Sequence, residues 1–335
     1  MFLAFDCEGP LTLNDNAFEY CKYKIPNGDK FFTKISRFDD YLADIKRRPN
    51  YKAGDTLKLI LPFLKLFGAN NQELKEFSKK TLLFLKDVPD VLSELAKKYK
   101  VFIISTSYKP YLEALCEVTG FPMENVFCTE VDLDGVELSE KEKQKLEELF
   151  KEIMELPEFE LPSTAKTPED LDASLLEVLN RLEEIFFEVV WNMEIGRFLK
   201  EVNPVGGKEK ARSCKLISEK LGEPLSEATY IGDSITDTDA FKLVKEGGGI
   251  TISFNGNRYA LREAEYYCLS NSGKFYADLV EKYLEKLKDA LTFPVITETY
   301  EFGKIPVEEE EFKKVVEKSE AYRKRVRGEA IGALG

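Results

Sequence analysis

The sequence predicts an α/β protein on a doubly wound parallel sheet, and three observations carry that prediction. Short apolar runs alternate with amphipathic helical stretches, several of the runs end on a carboxylate or hydroxyl, and two long helical stretches interrupt the alternation. The first run, Phe2–Phe5, delivers Asp6 and Glu8 and breaks at once on Gly9-Pro10, as a buried strand does when it ends in a turn. Residues 12–83 then show helical spacing, for example Leu57, Ile60, Leu61 and Leu64, broken by the turn signals IPNGD and RRPN. The stretch VPDVLSELAKKYKVFIISTS reads as a helix with Val91, Leu92 and Leu95 on one face, feeding a second strand at Val101–Ile104. NVFCTEVDL suggests a third strand. Residues 137–200 are almost continuous charged-and-apolar helix, with one Pro-containing break, and their aromatic run IFFEVVW needs a surface to pack on. From residue 208 the helix–strand rhythm returns, with strands expected in TYIGD, GGGITISF and EAEYYCLS. The resulting division is a discontinuous core of 1–11, 84–136 and 203–292, a helical cap of 12–83, a second helical insert of 137–202, and an acidic helical tail of 293–335.

Composition narrows the chemistry. The chain has 335 residues and a net charge of -13, which excludes nucleic acid and anionic membranes as main partners, because both need a positive face. Cysteines at 7, 21, 116, 128, 214 and 268 form no CxxC pair, so they read as reduced thiols of a cytoplasmic protein. With no histidine anywhere, acid–base work falls to carboxylates, Lys, Ser/Thr and Cys. No apolar run approaches the roughly 20 residues of a membrane span.

Three predicted strand ends carry groups that suit one another. Asp6 and Glu8 follow the first strand, Ser105 ends the second, and Asp233 ends TYIGD, with Asp237 four residues on. A parallel sheet places all these ends on one edge. Lys208 and Lys210 follow NPVGG at the start of the next helix, where backbone N–H groups favour an anion. Clustered carboxylates repel one another without a cation, and all-oxygen ligation suits Mg²⁺ together with a substrate phosphate. One carboxylate is then available to attack phosphorus while another moves the proton, with Ser and Lys holding the phosphoryl oxygens. A nucleotide P-loop at VGGKEK is excluded, since position 202 is Val and Lys208 is followed by Glu.

In order, FLAFDCEGPL, VFIISTS, GGKEKARSC and YIGDSITDTDAF resemble the four motifs of the haloacid dehalogenase (HAD) superfamily of phosphohydrolases. The layout is similar to the phosphoserine-phosphatase-like branch, and the chain resembles an archaeal group related to energy-converting hydrogenase subunit R. The resemblance covers the core, about half the chain. It implies a Rossmann-like core, Asp6 as the nucleophile that becomes an aspartyl phosphate, and Glu8 as general acid/base. It further implies Ser105 and Lys210, or else Lys208, as phosphate ligands. Mg²⁺ would be held by Asp6, Glu8 through its carbonyl, and Asp233, with Asp237 supporting it. Two positions depart from the pattern: Glu8 stands where the family has Asp, and Pro10 where it has Thr. A carboxyl displaced by about one bond can cost about a hundredfold in rate. The expected activity is hydrolysis of a small phosphorylated metabolite, and the alternative is a catalytically weak binding or regulatory subunit of a hydrogenase complex.

Overall fold

In the computed structural model, which describes residues 1–287 and 293–334, eight strands form one sheet. They are β1 (Phe2–Phe5), β2 (Lys100–Tyr108), β3 (Val126–Thr129), β4 (Ala228–Gly232), β5 (Ile250–Phe254), β6 (Tyr266–Ser270), β7 (Val295–Ile296) and β8 (Tyr300–Lys304). The order is β3-β2-β1-β4-β5-β6-β8-β7. Every pairing from β3 to β6 is parallel, and β8 runs antiparallel to both β6 and β7. The winding reverses between β1 and β4, so a crevice opens at their carboxyl ends, where Asp6 and Asp233 stand.

Alternation along β1 explains the layers. Leu3 and Phe5 pack with Val101, Ile103 and Ile252 under the helices Val88–Lys98 and Lys109–Thr119. Phe2 and Ala4 face the other way, with Ile104 and Tyr230, under the helices Lys208–Leu221 and Thr238–Glu246. Both faces are covered, which is why this strand reads as an unbroken apolar run rather than an alternating one.

The first insert leaves the sheet through a narrow neck. Leu13 and Leu85 donate backbone hydrogen bonds to Leu83 and Leu11 at 2.8 and 3.0 Å, and Thr12 bridges to Phe84 in antiparallel sense. Beyond the neck the two inserts share one hydrophobic cluster, in which Phe31, Phe38 and Phe63 meet Leu146, Leu179 and Phe186. The IFFEVVW run finds its packing surface here. Lys34 is buried between the inserts, donating to the carbonyls of Ile153 and Leu156 at 2.9 and 2.6 Å.

The segment after 292 departs from the helical tail expected of it; the boundary drawn at 292 itself lies outside the described residues. Tyr300 and Phe302 alternate inward and build β8 against β6 before the helix Glu309–Arg327 begins. The physical reason is local: two inward aromatics at i and i+2 make a strand, whereas the acidic run that follows them dominates the composition. No helix among the described residues is long and apolar enough to cross a membrane.

Candidate functional site

The strand ends converge as the sequence predicts. Asp6 leaves β1 with its backbone N–H still bonded to the Ile231 carbonyl of β4 at 2.8 Å, and its Oδ1 accepts from the Cys7 N–H at 2.7 Å. Asp6 Oδ2 lies 2.8 Å from Lys210 Nζ, which is fully buried (0%) and sits 2.7 Å from Asp237 Oδ1. Lys210 is therefore the lysine that reaches the edge. Lys208, one half-turn away, is exposed and faces a separate groove.

Asp237 is engaged on both oxygens. Oδ1 also accepts from Tyr230 Oη at 2.7 Å, and Oδ2 accepts the N–H groups of Asp233 and Ser234 at 2.9 and 3.0 Å. It thus fixes the loop carrying Asp233 and orients Lys210. Gly232 permits this, since a side chain there would strike the Asp237 carboxylate. Gly9, with φ +108°, likewise lets the first loop pass directly over the Asp233 carboxylate.

Glu8 turns toward the first insert. Its Oε1 accepts from the Asn16 N–H at 2.6 Å, at the start of the helix Asn16–Lys24, whose N-cap Asp15 accepts from Phe18 N–H at 2.9 Å. Burial, and then the negative charge of Asp15, holds the Glu8 carboxyl well above the usual range. Such a shift favours the protonated form, the one a general acid needs. Burial also raises Asp6, to about 8, against the pull of Lys210. Two donors, the Lys210 ammonium and the Cys7 N–H, pull against that rise without cancelling it, so Asp6 ionises late and is then a strong base for a carboxylate. Burial pushes the Cys7 thiol up as well, consistent with an inert residue.

Ser105 is fully buried in β2, where its Oγ accepts the Ser107 N–H at 3.2 Å, and it does not line the cavity at the crevice. Thr106 and Ser107 do. β2 runs five residues beyond its last pairing with β1, and the hydroxyl at the cavity is two positions beyond Ser105 along the same face. Ser107 Oγ is buried there without a hydrogen-bond partner.

The cavity measures about 90 Å³ and is also lined by Asp6, Glu8 and Asp233. Its roof comes from the first insert through Phe32, Ser36, Asp39, Asp40, Thr56 and Leu57. No residue of 137–202 lines it; that insert backs the first one. Asp39 is satisfied by Tyr51 Oη at 2.5 Å and Gly54 N–H at 2.8 Å.

Sequence reasoning missed the remaining wall. The helix Glu309–Arg327 inserts Arg323 and Arg327 into the crevice, and Leu334 beyond it closes the rim. Arg323 Nη1 pairs with Asp233 Oδ2, and Arg327 Nη1 lies 3.1 Å from the same oxygen. Asp15 and Asp40, both lining the cavity and both raised by burial, were missed too. Only Asp15 had a local signal, as an Asp before a helical run.

Carboxylate oxygens of Asp6, Asp233 and Asp237 lie within 4.8 Å of one another, and this all-oxygen set is of the kind that binds a metal ion. In the arrangement seen, however, Asp237 is filled by the loop, and Asp233 Oδ2 is taken by the two arginines. A divalent ion on Asp233 Oδ2 would have to displace both arginines, which leave Oδ1 untouched.

No protein-family model matches the chain, and no curated protein does. Among solved structures, the gene product AF1437 from Archaeoglobus fulgidus is similar over 100% of this chain and 98% of its own, at 30% identity and a TM-score of 0.83. A substrate-bound phosphoserine phosphatase complex aligns at 12% identity and a TM-score of 0.48, covering 87% of this chain and 98% of that one. A phosphoserine phosphohydrolase-like protein from Francisella tularensis aligns at 15% and 0.43, over 83% and 98%. With 30% identity over the whole of its length, the chain belongs to the same family as the Archaeoglobus protein.

Proposed function

We propose that the chain is a phosphoric monoester hydrolase acting on a small phosphorylated metabolite through an aspartyl-phosphate intermediate. The observation that supports this most is the buried Asp6–Lys210–Asp237 array at the carboxyl ends of β1 and β4. In this reading an Asp6 oxygen attacks phosphorus, the bond to the leaving oxygen breaks, and the Glu8 carboxyl gives that oxygen its proton. Glu8, now ionised, takes a proton from water as the water oxygen attacks the phosphoryl group and releases Asp6. Lys210 neutralises charge beside Asp6, and Ser107, with Ser105 behind it, offers a hydroxyl to a phosphoryl oxygen. Mg²⁺, if bound by Asp6, Asp233 and the Glu8 carbonyl, would add Lewis-acid stabilisation of the transferring group.

Purified protein should hydrolyse an aryl phosphate or acetyl phosphate with added Mg²⁺, and Asp6→Asn should abolish it. Activity indifferent to that change would sink the assignment.

A second reading, a binding or regulatory protein with lapsed catalysis, is favoured by the two arginines on Asp233. It is tested by the same assay across a broad panel of phosphate esters, together with co-purification with a hydrogenase complex. Turnover on any ester at a rate typical of enzymes would exclude it.

A further inference from the structure

The helix Glu309–Arg327 is anchored on both sides of the crevice. On the sheet side Phe312, Val315, Val316 and Tyr322 pack against Leu261, Tyr267 and Leu269, while buried Ser319 donates to the Gly256 carbonyl at 2.6 Å. On the insert side Arg327 donates to the carbonyls of Leu13, at 3.3 Å, and Asn14, and Ile331 and Leu334 join the hydrophobic cluster of the inserts. Between these anchors Arg323, only 2% exposed, pairs with Asp233 Oδ2 and its Nη1 also lies 3.2 Å from the Asp233 carbonyl. Its Nε is buried with no partner. An arginine placed for packing alone would have its donors satisfied. What this one does fully is supply positive charge to a buried carboxylate.

That charge stands on one of the two oxygens Asp233 could offer a divalent ion. Two guanidinium groups held against Asp233 repel a dication at contact distance and deny it that oxygen. We propose that the C-terminal helix and a divalent cation are alternative counter-ions for Asp233. With the helix docked, Arg323 and Arg327 exclude the ion; loading the ion requires Arg323 to leave, and Leu334 leaves the cavity rim with it. This rests on the metal-dependent reading of the site given above.

The test uses the full chain and Mn²⁺ as probe, with no turnover measured. Calorimetric or paramagnetic titration should show Arg323→Ala/Arg327→Ala binding Mn²⁺ at least about tenfold more tightly than the parent, within the usual range of coupling between two binding events. By reciprocity, saturating Mn²⁺ should raise amide exchange across 309–327 in the unaltered protein. Equal Mn²⁺ affinity in both proteins would overturn the proposal, and so would unchanged exchange in 309–327. If the double variant fails to fold, the exchange experiment on the parent decides alone. A chain that hydrolyses no ester still passes or fails this test, so its outcome is separate from that of the phosphatase assignment.

Discussion

Two regions bring charge to the same crevice by different physical routes. At the strand ends, Asp6, Lys210 and Asp233 are placed by the sheet: β1 and β4 are parallel neighbours, so whatever follows them must meet. On the C-terminal helix, Arg323 and Arg327 are placed by docking, through contacts with Gly256, Leu13 and Asn14 that lie far away in sequence. The first kind of placement follows from topology, and the second only from tertiary structure. The comparison predicts that removing a group of the first kind costs the fold more than removing one of the second.

The sharpest way to break that comparison is to remove one cation from each region. Lys210→Met leaves Asp6 and Asp237 buried around an apolar side chain, and breaking a buried pair by deleting one partner costs about 3–5 kcal/mol. Arg323→Met leaves Asp233 still paired with Arg327, so it should cost clearly less. Urea denaturation of both variants checks this. Equal losses would mean that the helix is as integral as the sheet.

Legibility in the sequence follows the same division. β1, β2 and β4 were readable because strands buried on both faces are apolar runs, and their last residues then fall on a known edge. Lys210 was readable as one of two lysines at a helix start, though only burial separates it from exposed Lys208. The arginines were not readable. Spaced i and i+4 in a helix rich in Glu and Lys, they look like an ordinary solvated face, and nothing local says that Ser319, Arg323 and Arg327 turn inward. β8 was hidden for a related reason, since five residues with two inward aromatics are easily outweighed by the charged run beside them. The depth of the hydroxyl on β2 depended on how far that strand outruns its neighbour, which no single strand's sequence encodes.

A second effect concerns Glu8, a strand-end residue that leans toward the insert. If it is the proton donor, Glu8→Gln should lower kcat by about 10²–10⁴-fold while phosphate-analogue binding is kept. Glu8→Asp should retain more activity than Glu8→Gln. An unchanged kcat in Glu8→Gln would assign the proton to solvent or to Asp15. Turnover needs Asp6 ionised and Glu8 protonated, so it should rise as Asp6, raised by burial to about 8, loses its proton and fall as Glu8, also raised by burial, loses its own.

Stability should show a weaker pH effect of defined sign. Burial raises Asp6 from 3.8 to about 8, Asp39 from 3.8 to about 7, and Glu19 from 4.5 to about 7. Between each ordinary value and each raised one the folded chain holds a proton the unfolded chain has lost, so this contribution is full below the lower value and fades through the upper. Calorimetric Tm should therefore fall from about pH 5 to about pH 8 in metal-free buffer. Two of the three groups belong to the first insert, so a Tm that rises over this window would contradict their buried, protonated state.

The smallest effect tests the hydroxyl on β2. Ser105 and Ser107 share one face of the strand, but they differ in what their oxygens do. Ser105 Oγ accepts a backbone N–H at 3.2 Å inside the sheet, so Ser105→Ala should cost about 1 kcal/mol in stability, the value of one internal hydrogen bond, and leave ligand binding nearly intact. Ser107 Oγ lines the cavity with no partner, so Ser107→Ala removes an unsatisfied buried group and should leave stability unchanged or slightly improved. If a phosphoryl oxygen is the partner that Ser107 lacks, the same change should weaken orthovanadate binding about tenfold, the equivalent of one hydrogen bond to a charged group. Thermal melts and vanadate titrations of the two variants set one against the other. Weaker vanadate binding in Ser105→Ala with none in Ser107→Ala would return the phosphate contact to the deeper residue and show that β2 shifts along its neighbour when the anion arrives.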